Sequence, residues 1–128
     1  MKNIKFKRLS KKDTKAICEL TQLLNPDKTK KILAKRQEQM FKLNSYYCFG
    51  FYFNDELVGV SSVWEMVKLY SGRQIEIDNL IIHPEFQSKG IGTKFIKHIE
   101  AWAKKRKCKT IELNPNYALG ISSGIFKG

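Results

Sequence analysis

Residues 4–8 alternate, Ile4 and Phe6 standing between Lys5 and Lys7, and a period of two marks a short strand. A capping signal follows at Ser10 or Asp13, and the pattern turns helical, with Ile17, Leu20 and Leu24 on one stripe until Asn25-Pro26 interrupts it. A second helix is predicted after Asp27, with Ile32, Leu33, Met40, Phe41 and Leu43 as its buried positions. Residues 46–53 are aromatic and rich in β-formers. Asn54-Asp55 reads as a turn and 57–67 as the returning strand of a hairpin. After a turn at Ser71-Gly72, residues 74–83 form the third member of an antiparallel meander, which Pro84 ends because proline cannot donate to the ladder. Residues 90–107 place Ile91, Phe95, Ile96, Ile99, Trp102 and Ala103 at helical spacing, and 109–113 read as a fifth strand. Beyond Asn114 the pattern is interrupted by Pro115, Gly120, Gly124 and Gly128. The order is β-α-α-β-β-β-α-β, an α/β (α+β) domain.

Composition bounds this picture. At 128 residues and 42% hydrophobic, the chain reads as one domain over 1–128 with a single core. Its apolar runs, such as 80–82, fall far short of the roughly 20 residues that span a bilayer. The first ten residues lack the apolar segment of a secretory signal, so no membrane association and a cytoplasmic location are expected. Cys18, Cys48 and Cys108 are odd in number and widely spaced, which predicts reduced, mostly buried thiols. With only His83 and His98 beside them, no metal site is expected. Lys and Arg number 24 against 12 Asp and Glu, a net charge of +12 that attracts polyanions and phosphorylated cofactors. Solvated helix faces account for most of these lysines. A nucleic-acid binder remains a reading, without an aromatic and basic recognition motif to support it.

Candidate chemistry concentrates in 84–93, PEFQSKGIGT, between a strand and a helix. Such a junction leaves backbone N–H groups unpaired and pointing one way with the helix dipole behind them, an arrangement that binds phosphate. Glycine at 90 and 92 would let an oxygen approach the backbone closely. Two phosphate motifs fail here. A P-loop needs Gly-Lys-Ser/Thr, whereas Gly92 is followed by Thr93 and Lys94. A dinucleotide fingerprint needs a third glycine where Phe95 stands. What remains is Gln87-x-x-Gly90-x-Gly92.

That motif, within IDNLIIHPEFQSKGIG at 77–92, resembles the GNAT superfamily of N-acetyltransferases, and the element order before it fits as well. The resemblance covers about residues 4–113. It implies a mostly antiparallel sheet flanked by helices and acetyl-CoA as cosubstrate. The amides of Gln87, Ser88, Lys89, Gly90, Ile91, Gly92 and Thr93 would hold its pyrophosphate, with Lys89 and Lys94 adding positive charge. Leu80, Ile81 and Ile82 would pair with the pantetheine arm like an added strand, where the fourth and fifth strands splay apart. The Leu80 or Ile81 amide would be the oxyanion donor. The family's tyrosine acid has no clear match: Lys127 stands where it is expected, and Tyr117 is only nearby. The family's usual last two strands are not seen by Gly128, so reduced activity or a homodimer is expected.

Transfer to an amine also needs a base. By period two, Glu76, Asp78, Leu80 and Ile82 are expected on one face, and a carboxylate on a buried strand is costly unless paired or working. Glu76 and Asp78 are therefore the candidates for base or ammonium anchor, each with solvent exposure or loop capping as the bland alternative. No cysteine has the context of an acyl carrier, although Cys108 beside Arg106, Lys107 and Lys109 could be activated. His83 is read as ending its strand, His98 as exposed, Trp102 as core, and Trp64 either as lining the acceptor site or as packing under the first helices. The predicted function is direct acetyl transfer to a small-molecule or peptide amine. A noncatalytic acyl-CoA-binding module is the alternative.

Overall fold

The computed structural model describes residues 3–87 and 90–114 and the backbone of 118–119. Its elements are β1 (Ile4–Arg8), α1 (Thr14–Thr21), α2 (Lys30–Phe41), β2 (Tyr46–Phe53), β3 (Glu56–Lys68), β4 (Gly72–Ile82), α3 (Ile91–Lys105), β5 (Thr110–Leu113) and β6 (Ala118–Leu119), with single 3-10 turns at Lys11–Asp13 and Pro84–Phe86. Through β5 this is the order that periodicity predicts. β1 to β4 pair antiparallel in sequence order. At the β2–β3 turn, Asn54 and Asp55 hold φ of 50° and 66°. Two left-handed residues in succession match the twist of a tight hairpin, and Asn and Asp tolerate them better than most side chains. β5 runs parallel to β4, which requires a crossover, and α3 supplies it.

The two faces of the sheet carry separate cores. On one, Phe49, Phe51, Val63, Ile75, Ile77, Leu80 and Ile82 pack with Ile91, Phe95, Ile96 and Ile99 of α3. On the other, Tyr46, Cys48, Val60 and Ile81 meet Ile17 and Leu20 of α1, with Met40, Phe41 and Trp64 at the margin. Cys18 and Cys48 are buried and Cys108 is only half-buried. None of the described helices is long and apolar enough to cross a membrane.

α2 departs from the expected burial. Its buried residue is Gln37, while Ile32 is 42% and Leu43 51% exposed. The stripe that meets the sheet is centred on Gln37, with Leu33, Ala34, Met40 and Phe41 half-buried at helical spacing around it. Ile32 falls off that stripe, and Leu43 lies beyond the end of the helix.

Candidate active site

The site is set by an irregularity in β4. Across the β3–β4 ladder Asp78 faces Ser62 and Ile81 faces Val60, so Asn79 and Leu80 together oppose Ser61 alone. Asn79 absorbs the extra residue at φ 48°, a left-handed value that Asn adopts more readily than most side chains. This corrects the expectation that Glu76, Asp78, Leu80 and Ile82 share a face, because the bulge shifts the phase by one residue. Leu80 and Ile82 are fully buried in the α3 core. Ile81 packs on the opposite, α1/α2 side, the side that Glu76 and Asp78 share with it.

Asp78 is half-buried. Its Oδ1 accepts the backbone N–H of Asn79 at 3.0 Å. Burial pushes the carboxyl above the usual aspartate range, against the opposing pull of the Asn79 amide and the Trp64 side chain. Opposite it, Ser62 ends a buried chain of hydrogen bonds. Gln37 Nε2 donates to Tyr46 Oη at 2.7 Å, and Tyr46 Oη lies 2.7 Å from Ser62 Oγ. Burial pushes the Tyr46 phenol well up, so it stays protonated. Glu76 stands between Trp64 on β3 and Glu112 on β5, and Gln74 Nε2 donates to Glu112 Oε1 at 2.6 Å. The Trp64 ring packs 4.8 Å from that of Tyr46, which places Trp64 on the candidate acceptor side. A cavity of about 160 Å3 opens between the first two helices and the bulge, lined by Ser62 and Asn79 on the strands, by Leu33, Arg36 and Met40 on α2, and by Asn25 in the connection between α1 and α2.

At the far end of β4 the chain turns into α3. Glu85 N–H donates to His83 Nδ1 at 3.1 Å, and Gln87 Nε2 donates to the Ile82 carbonyl at 3.0 Å. Both bonds tie the loop to the end of the strand, the structural role expected of His83. Gly90 has φ 75°, and a Cβ there would meet nothing within 4 Å. The glycine is therefore required by backbone conformation and not by a neighbour's bulk. The α3 ladder opens with Lys94 N–H donating to Gly90 O at 3.3 Å, so the amides of Ile91, Gly92 and Thr93 precede the first intrahelical bond and have no backbone partner among the described residues. Ser88 and Lys89, like Tyr117 and Lys127, lie outside the described residues.

The outer edge of β4 is divided. β5 pairs with Gln74 to Ile77, leaving the upper strand to diverge, but Leu80 and Ile81 pair in parallel with Ala118 and Leu119 of β6. Of the remaining candidates, His98 is exposed and stacks on Phe6 at 4.7 Å, and Trp102 packs against Tyr47 and Phe49. The Cys108 thiol is raised by burial first and by Glu65 second. Arg106, its basic neighbour, is committed to Glu65 through contacts of 3.0 and 2.7 Å, so Cys108 lacks the environment of an activated nucleophile. Among the described residues no three His, Cys, Asp or Glu side chains converge as metal ligands.

Period-two reasoning missed Asn79, Ser62, Tyr46 and Gln37 as parts of the site. One signal was present, since a turn-forming Asn inside the strand sequence IEIDNLII is itself a mark of a bulge.

The strand, bulge, glycine turn and helix N-terminus fall within a family match. The model of the acetyltransferase (GNAT) family aligns with residues 17–119. The chain belongs to the GNAT acetyltransferase family. Acetyl transfer is the reaction of this family, with acetyl-CoA as donor. Among solved structures, a GNAT family acetyltransferase of Staphylococcus aureus shares the fold at TM-score 0.80 and 23% identity over 98% of each chain. A ribosomal-protein-alanine N-acetyltransferase of Brucella melitensis superposes at TM-score 0.74, with 18% identity over 87% of this chain and 79% of that one. An aminoglycoside N-acetyltransferase solved in complex with CoA gives TM-score 0.75 and 11% identity over 87% and 76%. No curated protein matches the chain.

Proposed function

We propose that this chain transfers acetyl from acetyl-CoA to a primary amine, by direct attack within a ternary complex, with Asp78 as the base. The observation that carries this reading is the placement of Asp78: half-buried at a strained bulge, its carboxyl raised by burial and flanked by two cavity-lining residues, Ser62 and Asn79. A carboxylate disfavoured in its charged form gains by taking a proton, and the two residues beside it line the cavity that an amine would enter. Glu76, one pleat away on the same face, is the anchor for the ammonium form.

The amides of Ile91, Gly92 and Thr93, which precede the first α3 hydrogen bond behind the left-handed Gly90, suit the pyrophosphate of the cosubstrate. Gln87, Ser88 and Lys89 complete that loop. The edge of Leu80, Ile81 and Ile82 would receive the pantetheine arm, and a backbone N–H of Leu80 or Ile81 would face the acyl oxygen. Because β6 pairs with Leu80 and Ile81, this reading requires Ala118 and Leu119 to yield that edge. Acetyl-CoA supplies, when bound, a thioester open to an unprotonated amine.

The test is the thermal stability of the full chain with and without saturating acetyl-CoA, followed by release of free thiol with a panel of amines. A ligand at about 100 times its dissociation constant stabilises the native state by about 2.7 kcal/mol, a clear upward shift. A shift with thiol release is the expected result. A shift without turnover would identify an acyl-CoA-binding module, and no shift from folded protein would overturn the reading.

A further inference from the structure

We infer that the accepted amine carries an anionic group of its own, seated by Arg36 in the cavity beside the β4 bulge. The inference rests on the proposed role of Asp78 and adds the chemical class of the acceptor. The cavity, at about 160 Å3, is about half the lower end of the range for drug-sized ligands, so it suits a compact group. Its walls combine apolar Leu33 and Met40 with Arg36, Asn25, Ser62 and Asn79.

Two features give the cavity a polarity. The first is the buried hydrogen-bond chain that ends at the cavity wall. Gln37 Nε2 has only hydrogens to give, so Tyr46 Oη accepts from it, and either hydroxyl can donate in the bond between Tyr46 Oη and Ser62 Oγ. Ser62 lines the cavity, and its hydroxyl can turn a hydrogen toward a bound anion when Tyr46 is the donor. The second is Arg36 itself. It is exposed, and none of the ion pairs among the described residues involves it. Its charge acts weakly on Asp27, whose carboxylate is already paired with Lys28.

The charged donor for an anion, Arg36, therefore stands on the α2 side of the cavity, and Asp78, a carboxylate for an ammonium group, stands at the strand side next to the lining residues Ser62 and Asn79. A guanidinium fork is a matched donor for a carboxylate or phosphate. The net charge of +12 favours the encounter with anionic acceptors and disfavours polycations.

The experiment compares amines that differ by the anionic group: lysine with cadaverine, and O-phosphoethanolamine with ethanolamine. For the wild-type chain kcat/KM is expected to favour the anionic member of at least one pair by about tenfold or more, as a charge-assisted hydrogen bond supplies. The pair with the larger ratio tells carboxylate from phosphate. Arg36→Gln should collapse that ratio, chiefly through KM, whereas Lys35→Gln, which removes the same charge one residue away and outside the cavity, should leave it unchanged. Equal use of both members, preference for the cationic or neutral one, or an equal response to the two variants would overturn the inference while leaving acetyl transfer intact. Calorimetric titration of the full chain with the same four amines gives a readout independent of turnover. Should acetyl transfer itself fail, binding of an anionic amine that Arg36→Gln abolishes would sustain the site, and no such binding would remove it.

Discussion

The two faces of β4 are made from one run of eleven residues and do opposite things. Toward α3 the strand presents Ile75, Ile77, Leu80 and Ile82, all fully buried against Phe95 and its neighbours. Toward α1 and α2 it presents Glu76, Asp78 and Ile81, beside Ser62, Trp64 and the buried amide of Gln37. A regular strand cannot put Ile77 and Leu80 on one side, since three residues of strand reverse the face. The bulge at Asn79 allows it. It keeps the α3 face apolar from Ile75 to Ile82 and sets Asp78 at the edge of the opposite face, beside a cavity. One side closes the core, and the other is left polar, concave and available for chemistry.

The sharpest way to break that comparison is to cut into each side in turn. Phe95 is fully buried and touches both Phe6 and Phe51 in edge-to-face packing. Phe95→Ala should cost about 3–5 kcal/mol, a large part of the roughly 5–15 kcal/mol that holds a domain together. Urea denaturation should show the midpoint collapsing, with acetylation lost only because the fold is lost. Asp78→Asn should act the other way, leaving a folded chain whose kcat falls by about a hundredfold or more, the scale of general-base catalysis. Single-turnover rates with a small amine measure it. A fall of less than tenfold would move the base to Glu76 and leave Asp78 as a structural residue of the bulge.

Where periodicity is unbroken, the sequence was enough. Ile91, Phe95, Ile96, Ile99, Trp102 and Ala103 are expected on one helical face, and all are buried except Trp102, which is half-buried against the same core. The meander and its Asn54-Asp55 turn were equally plain. The site was legible only in part, because its geometry depends on contacts that no local pattern carries. Asp78 and Glu76 were found as carboxylates on a buried strand, but their face was inferred from a period that Asn79 interrupts. Gln37 looked like one more polar residue of a basic helix, and its partner Tyr46 lies on a different element. The pairing of Ala118 and Leu119 with β4 had no signal in a segment that glycine and proline interrupt. The rule that failed is that a strand keeps its phase, and it failed at the candidate site itself, where a locally unfavourable backbone is held in place by its surroundings.

The smallest expected effect separates stability from activity at Asp78. Burial raises its carboxyl above the value of about 3.9 that an aspartate has in the unfolded chain. Between those two values the folded state binds more protons than the unfolded one, so stability falls as pH rises through the window, and above it the loss is complete. The contribution of Asp78 at neutral pH is thus unfavourable, the opposite of a salt-bridged aspartate. Asp78→Asn removes the charge and retains an oxygen for the Asn79 amide. Its melting temperature should exceed that of the wild-type chain at pH 7, and the gap should shrink as pH falls toward 4 and the wild-type carboxyl takes up its proton. Parallel melts of the two proteins across this range measure it. A gap that is flat with pH would mean that folding leaves the Asp78 carboxyl unshifted, and one that widens in acid would mean that a partner holds it ionised, which makes a poor base. A gap that closes in acid, in a variant that has lost its turnover, would show a charge kept at a cost in stability because the reaction uses it.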